Sequence, residues 1–228
     1  MDKEKLPFTV EDKQAVLYRS PAPGGPLIVL NYYSGDGHSV VSFLDQIRAP
    51  ECDLLVIGNL DWAHDMAPWD CPPVFANGPA YTGGADTYLE LLTGRILPQA
   101  KAMLSAEPSF IGIAGYSLAG LFAVYALYRC DIFQRAASMS GSLWYPGFTD
   151  NVRNKALQSS PDRLYFSLGD KEAKTRNPYL KRVQESTEAA ADLFRNRGIH
   201  VTIEMYPGNH FQDAALRTAL GISSLIGS

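Results

Sequence analysis

The sequence predicts an α/β fold with a mostly parallel central sheet and helices on both faces. Two observations lead there. Short apolar runs alternate along the chain with longer amphipathic ones, the pattern of strand–helix–strand crossovers. Within the short runs, Leu27-Ile28-Val29-Leu30 and Leu54-Leu55-Val56-Ile57 are apolar on successive residues. Strands covered on both faces need that continuity, whereas a half-exposed strand alternates.

The strands are expected at Ala15–Arg19, Leu27–Tyr33, Asp53–Ile57, Phe110–Gly115, Arg135–Met139, Arg163–Leu168 and His200–Tyr206. Gly24-Gly25-Pro26 turns the chain into the second of them. Helical periodicity covers Ala85–Leu104, Leu118–Arg129, Asn177–Arg197 and Asp213–Ile226. In the first, Tyr88, Leu91, Leu92 and Ile96 share a face, and Pro98 is expected to kink or end it. Gly198 fits a C-cap for the third. No repeat or linker interrupts the chain, so its 228 residues read as one domain. The stretch from Ile57 to Gly84 is long for a connection and carries Trp62, Trp69, Phe75 and Tyr81. Such loops either serve a site or pin themselves down by their aromatic side chains.

Composition removes several function classes. The net charge is -4 and no Lys/Arg stripe is present, which argues against a nucleic-acid partner. No apolar run is long enough to span a bilayer, and the charged start from Met1 to Lys5 is not followed by a signal-like apolar core. Cys52, Cys71 and Cys130 stand singly, with no CxxC pair; an odd, scattered count reads as reduced thiols in a cytoplasmic protein. Cys71, in a Pro-rich loop, reads as exposed.

The chemistry-bearing segment is Gly115-Tyr116-Ser117-Leu118-Ala119-Gly120, between the apolar strand Phe110–Ala114 and the helical run Leu121–Tyr128. A sharp strand-to-helix turn with small residues two before and two after a serine is the context of a nucleophile elbow. It lifts the Ser117 hydroxyl above the sheet and points the first helical N–H groups toward a developing oxyanion. In α/β-hydrolases the order along the chain is nucleophile, acid, histidine, with the histidine after the last strand. Of His38, His64, His200 and His210, only His210 meets that demand. His38 reads as a solvated loop residue and His200 as a strand-entrance residue. His64, between Asp61 and Asp65, makes no closed metal-ligand set. Asp170 and Glu172 both follow the strand ending at Leu168. Glu172 is preferred as the orienting acid, because it lies three residues after Gly169; Asp170 fits a turn cap.

These segments together resemble the "putative esterase" family of α/β-hydrolases, which includes esterase D-like enzymes, siderophore esterases and mycolyltransferases. Ile113 to Leu121 is similar to its elbow. Asn59 to Trp62 with Asp65 to Trp69, Gly83 to Leu89 with Ile96-Leu97-Pro98, and Ser140 to Tyr145 are similar to its flanking segments. Gly169 to Glu172 and Gly208 to Phe211 are similar to its acid and histidine turns. At the first oxyanion turn Asn31-Tyr32-Tyr33 stands where relatives often carry Asp-Gly. The resemblance implies hydrolysis of a small-molecule carboxylic ester, of siderophore or acyl-carbohydrate type, without cofactor or metal. The expected site comprises Ser117, Glu172 and His210, oxyanion N–H groups of Leu118 and Tyr33, and a substrate wall of Trp144, Tyr145 and Trp69. The chain is short, with no inserted lid. Thioester or peptide cleavage, acyl transfer to another alcohol, or a non-catalytic binding protein on the same fold are the competing readings.

Overall fold

The computed structural model describes residues 3–75 and 77–227; Met1 and Asp2, part of the charged start read above, lie outside them. An eight-stranded sheet forms the centre. Its strands are β1 (Glu4–Val10), β2 (Lys13–Arg19), β3 (Leu27–Asn31), β4 (Asp53–Gly58), β7 (Ile111–Tyr116), β8 (Arg135–Met139), β9 (Arg163–Gly169) and β10 (His200–Tyr206). β5 (Asp70–Cys71) and β6 (Tyr81–Thr82) make a separate two-stranded ribbon. The order across the large sheet is β1-β2-β4-β3-β7-β8-β9-β10. β2 runs antiparallel to both its neighbours, and every pair from β4 to β10 is parallel.

Burial explains the apolar runs. Every residue of β3 and β4 is buried, because each strand sits inside the sheet with helices above and below. One face carries α1 (His38–Gln46) and α8 (Ala214–Ile226), packed on Ile28, Leu30, Leu54 and Val56. The other face carries α3 (Ala85–Leu91), α4 (Leu97–Ala102), α5 (Leu118–Ala126) and α7 (Val183–Arg195), packed on Leu27, Val29, Leu55 and Ile57. All nine residues of α5 are buried, so its sequence is apolar all round rather than striped.

Several expectations need correction. β1 is a strand that no apolar run in the sequence marks. It is an edge strand whose residues alternate between exposed and half-buried, with Pro7 inside it, and neither feature produces an apolar run. α1 is likewise unmarked: it is short, rich in Ser and Val, and begins at His38, which is therefore an exposed helical residue and not a loop one. Its N-cap, Gly37, has φ 80°, and a Cβ there would sit 2.7 Å from Val56 Cγ2. β3 stops at Asn31, leaving Tyr32 and Tyr33 beyond the strand. Pro98 neither ends nor breaks its helix. A π-helical stretch over Leu92–Ile96 joins α3 to α4 and ends two residues before Pro98, so the helical run is locally widened where the proline lacks its N–H rather than stopped.

The connection after β4 is ordered. It holds α2 (Trp62–Asp65) and the β5–β6 ribbon. Asp65, buried, pairs with the buried Lys13 ammonium at 2.8 Å and so ties the segment to the β1–β2 hairpin. Cys71, expected to be exposed, is buried in this ribbon. α6 (Phe148–Arg153) follows β8.

Candidate functional site

The elbow between β7 and α5 places Ser117 at φ 60°, ψ -122°, a backbone region that costs a non-glycine residue on the order of 1–3 kcal/mol. Packing holds it there. The Ser117 N–H donates to the Met139 carbonyl at 3.0 Å, and the Ser117 carbonyl accepts from Gly120 and Leu121. A Cβ on Gly115 would lie 2.2 Å from the Ala119 carbonyl oxygen, so strand and helix can approach this closely only with glycine at that position. Leu118 opens α5, and its N–H belongs to the first turn, which has no intrahelical acceptor.

Three residues far apart in sequence meet here. His210 Nε2 lies 3.1 Å from Ser117 Oγ, and His210 Nδ1 lies 2.8 Å from Glu172 Oε2. The turn after β9 carries Glu172; the loop between β10 and α8 carries His210. Asp170, the other acid considered, faces elsewhere: its Oδ1 accepts the Gly208 N–H at 2.8 Å and closes the neighbouring turn.

A buried polar network backs this chain of bonds. Glu172 Oε1 accepts from Ser140 Oγ at 2.6 Å, the Gly169 N–H at 2.6 Å and Arg217 Nη2 at 3.1 Å. Arg217 also donates to Tyr116 Oη at 2.9 Å and to Ser140 Oγ, and Tyr116 Oη donates to the His210 carbonyl at 2.7 Å. The guanidinium thus braces both the carboxylate that His210 bonds and the loop that carries His210. Burial alone would raise the Glu172 pKa. Hydrogen bonds from His210, Ser140 and the Gly169 N–H outweigh it and lower the value to about 2.

Sequence reasoning missed Arg217, which is 1% exposed in the first turn of α8. The only signal was a lone cation among the apolar residues of Ala214–Ile226. Ser140, with φ 45°, and Tyr116 were visible only as parts of longer motifs.

Two clefts meet above Ser117. The larger, about 490 Å³, is lined by Trp62, Phe75, Tyr81, Trp144, Leu180 and Val183 among others; the smaller is about 310 Å³. Tyr33, Trp62, His210 and Phe211 border both. Trp144 therefore reaches the site. Trp69 and Tyr145, expected beside it, do not: Tyr145 Oη donates to the Trp69 carbonyl at 2.5 Å, Trp69 Nε1 donates to the Pro146 carbonyl at 3.0 Å, and the rings pack on each other behind the wall. Tyr33 is 70% exposed at the mouth, its ring set edge-on to Trp62. His64 is engaged elsewhere, with Nδ1 2.8 Å from Thr82 Oγ1 and its ring packed on Gly84. His200 begins β10 and is exposed.

A mostly parallel sheet in this strand order, with an elbow serine between β7 and α5, is the α/β-hydrolase fold. The family model described as "Putative esterase" matches residues 39–220, and the chain belongs to that family. In sequence it is similar to the uncharacterized protein YbbA of Bacillus subtilis, 23% identical over 192 residues, 79% of this chain and 75% of the other. In structure it is similar to an IroE-like serine hydrolase from Shewanella oneidensis, with TM-score 0.76 and 16% identity over 98% of this chain and 80% of that one. It is also similar to the siderophore hydrolase EstA of Aspergillus nidulans, with TM-score 0.72 and 19% identity over 99% and 95% of the two chains.

Proposed function

We propose that the protein hydrolyses a small-molecule carboxylic ester by double displacement, with Ser117 as nucleophile, His210 as general base and Glu172 as orienting acid. The observation that carries this reading is the unbroken chain from Ser117 Oγ through His210 to the Glu172 carboxylate, opening into the two clefts. His210 Nε2 accepts the Ser117 proton as Oγ bonds to the ester carbonyl carbon. Glu172, held anionic, fixes the tautomer and stabilises the imidazolium. The N–H groups of Leu118 and Tyr33 receive the oxyanion; losing one such donor typically costs about 3 kcal/mol. Collapse breaks the C–O bond to the alcohol, which leaves with the proton from His210. Water, deprotonated by the same imidazole, then hydrolyses the acyl-enzyme, releasing the carboxylic acid and restoring Ser117. None of these steps calls for a metal or organic cofactor.

Siderophore-type and acyl-carbohydrate esters are the first substrates to test, since the structural relatives include a siderophore hydrolase. A cytoplasmic setting is favoured by the three unpaired cysteines. Among the described residues no helix is long and apolar enough to cross a membrane. Labelling with a fluorophosphonate and turnover of p-nitrophenyl esters test the proposal together. The wild type should label and turn over; Ser117→Ala should do neither above background. Equal labelling of both proteins would refute it.

A further inference from the structure

The two clefts over Ser117 have a charge character that bears on which esters they admit. Tyr33, Trp62 and Phe211 stand where the arms join, and Phe211 is 86% exposed there. Among the described residues, no lysine or arginine lines either arm. The carboxylates are two. Glu172 is fully engaged by His210, Ser140, Gly169 and Arg217. Asp61 is exposed at the N-cap of α2: its carbonyl accepts the His64 and Asp65 N–H groups and its own N–H donates to Asp65 Oδ2 at 2.9 Å, while its carboxylate makes no cap bond to the helix. On the far side of Trp144, Arg153 and Arg182 line a neighbouring cleft of about 510 Å³, where they face Asp150 at 4.0 Å and Glu185 at 3.3 Å.

Resting on the acyl-transfer reading above, we propose that this cleft takes esters whose apolar, ring-bearing group is uncharged or cationic and rejects those bearing an anion, with Asp61 setting the sign of the discrimination. An anion entering the arms gives up hydration and meets no compensating cation. A cation meets a wall that includes the aromatic side chains of Tyr33, Trp62 and Trp144 and the carboxylate of Asp61. An uncharged ring gains by burial alone.

The test uses p-nitrophenyl 3-arylpropanoates that differ at the para position of the aryl ring. The substituents are tert-butyl, its cationic isostere trimethylammonio, and carboxylate, and each kcat/KM is divided by the hydroxide-catalysed rate of the same ester. The carboxylate ester should fall roughly tenfold or more below the tert-butyl ester, and the trimethylammonio ester should equal or exceed it by about threefold. Asp61→Lys should move the anion-to-cation ratio at least about fivefold toward the anion, and Asp61→Asn should move it less in the same direction. Equal turnover of carboxylate and tert-butyl esters, or a ratio that Asp61→Lys leaves unmoved, would overturn the proposal. So would wild-type protein that takes up the fluorophosphonate yet hydrolyses none of the three. Failure to take up the fluorophosphonate would instead strike the acyl-transfer reading itself.

Discussion

Glu172 and Asp170 differ by two positions and have opposite surroundings. The side chain of Glu172 is 3% exposed and accepts four hydrogen bonds, whereas Asp170 holds one N–H of an adjacent turn. Glu172→Gln removes the charge that fixes the histidine tautomer, and kcat for a p-nitrophenyl ester should drop by roughly 10²–10⁴-fold. Asp170→Asn keeps an oxygen acceptor for Gly208 and should leave kcat/KM within about threefold of wild type; steady-state kinetics of the pair distinguishes the two acids. Arg217 makes a different prediction. Replacing it by Met strands the buried Glu172 carboxylate without its cation, so stability to urea should fall by about 3–5 kcal/mol. Arg217→Lys should recover part of that loss, because a charge remains, but not the fork that reaches Tyr116 and Ser140 together.

At the scale of elements, the elbow is where sequence and geometry are most tightly bound. Gly115 sits against the backbone of Ala119, an atom that cannot swing away as a side chain can. Gly115→Ala should therefore lower the midpoint of thermal unfolding by several degrees or prevent folding, and any folded fraction should label slowly with a fluorophosphonate. Differential scanning calorimetry with probe labelling reads both. The elbow, the last-strand histidine and the fully buried strands were legible because each depends on local pattern: small residues about a turn, an apolar run, a polar loop after a strand. The edge strand β1 and helix α1 were not. Both are stabilised by tertiary contacts, β1 by pairing with β2 and α1 by packing on β4 and α8, and neither has a strong local signal. The π-helical stretch before Pro98 belongs to the same group, since a sequence-level rule for proline anticipates a break and takes no account of a widened turn.

For the molecule as a whole, acid stability follows from the depressed carboxylates. Glu172 is lowered from the ordinary 4.5 to about 2, with burial opposing and the bonds from His210, Ser140 and Gly169 prevailing. Asp36 is lowered to about 2, chiefly by the Lys5 ammonium. A group whose folded pKa is depressed contributes its full stability above its unfolded pKa and loses it as pH falls through the folded value. Stability should thus hold above about pH 4.5 and decline toward pH 2. Asp53, raised by burial, works in the opposite direction. Urea midpoints measured across that range should decline more gently in Glu172→Gln than in wild type; identical slopes would remove Glu172 as a source of the acid sensitivity.

By itself the sequence determined the fold class, the elbow and the order in which serine, acid and histidine follow along the chain, because these are written in short-range pattern. It favoured Glu172 over Asp170 only by spacing, put Trp69 and Tyr145 in the wall beside Trp144 where they in fact pack behind it, and gave no sign that an arginine from the last helix holds the carboxylate. Those choices were made by tertiary structure. They turn on which way a side chain points once the sheet has closed, and residues separated by tens of positions, such as Arg217 and Glu172, acquire their partners only then.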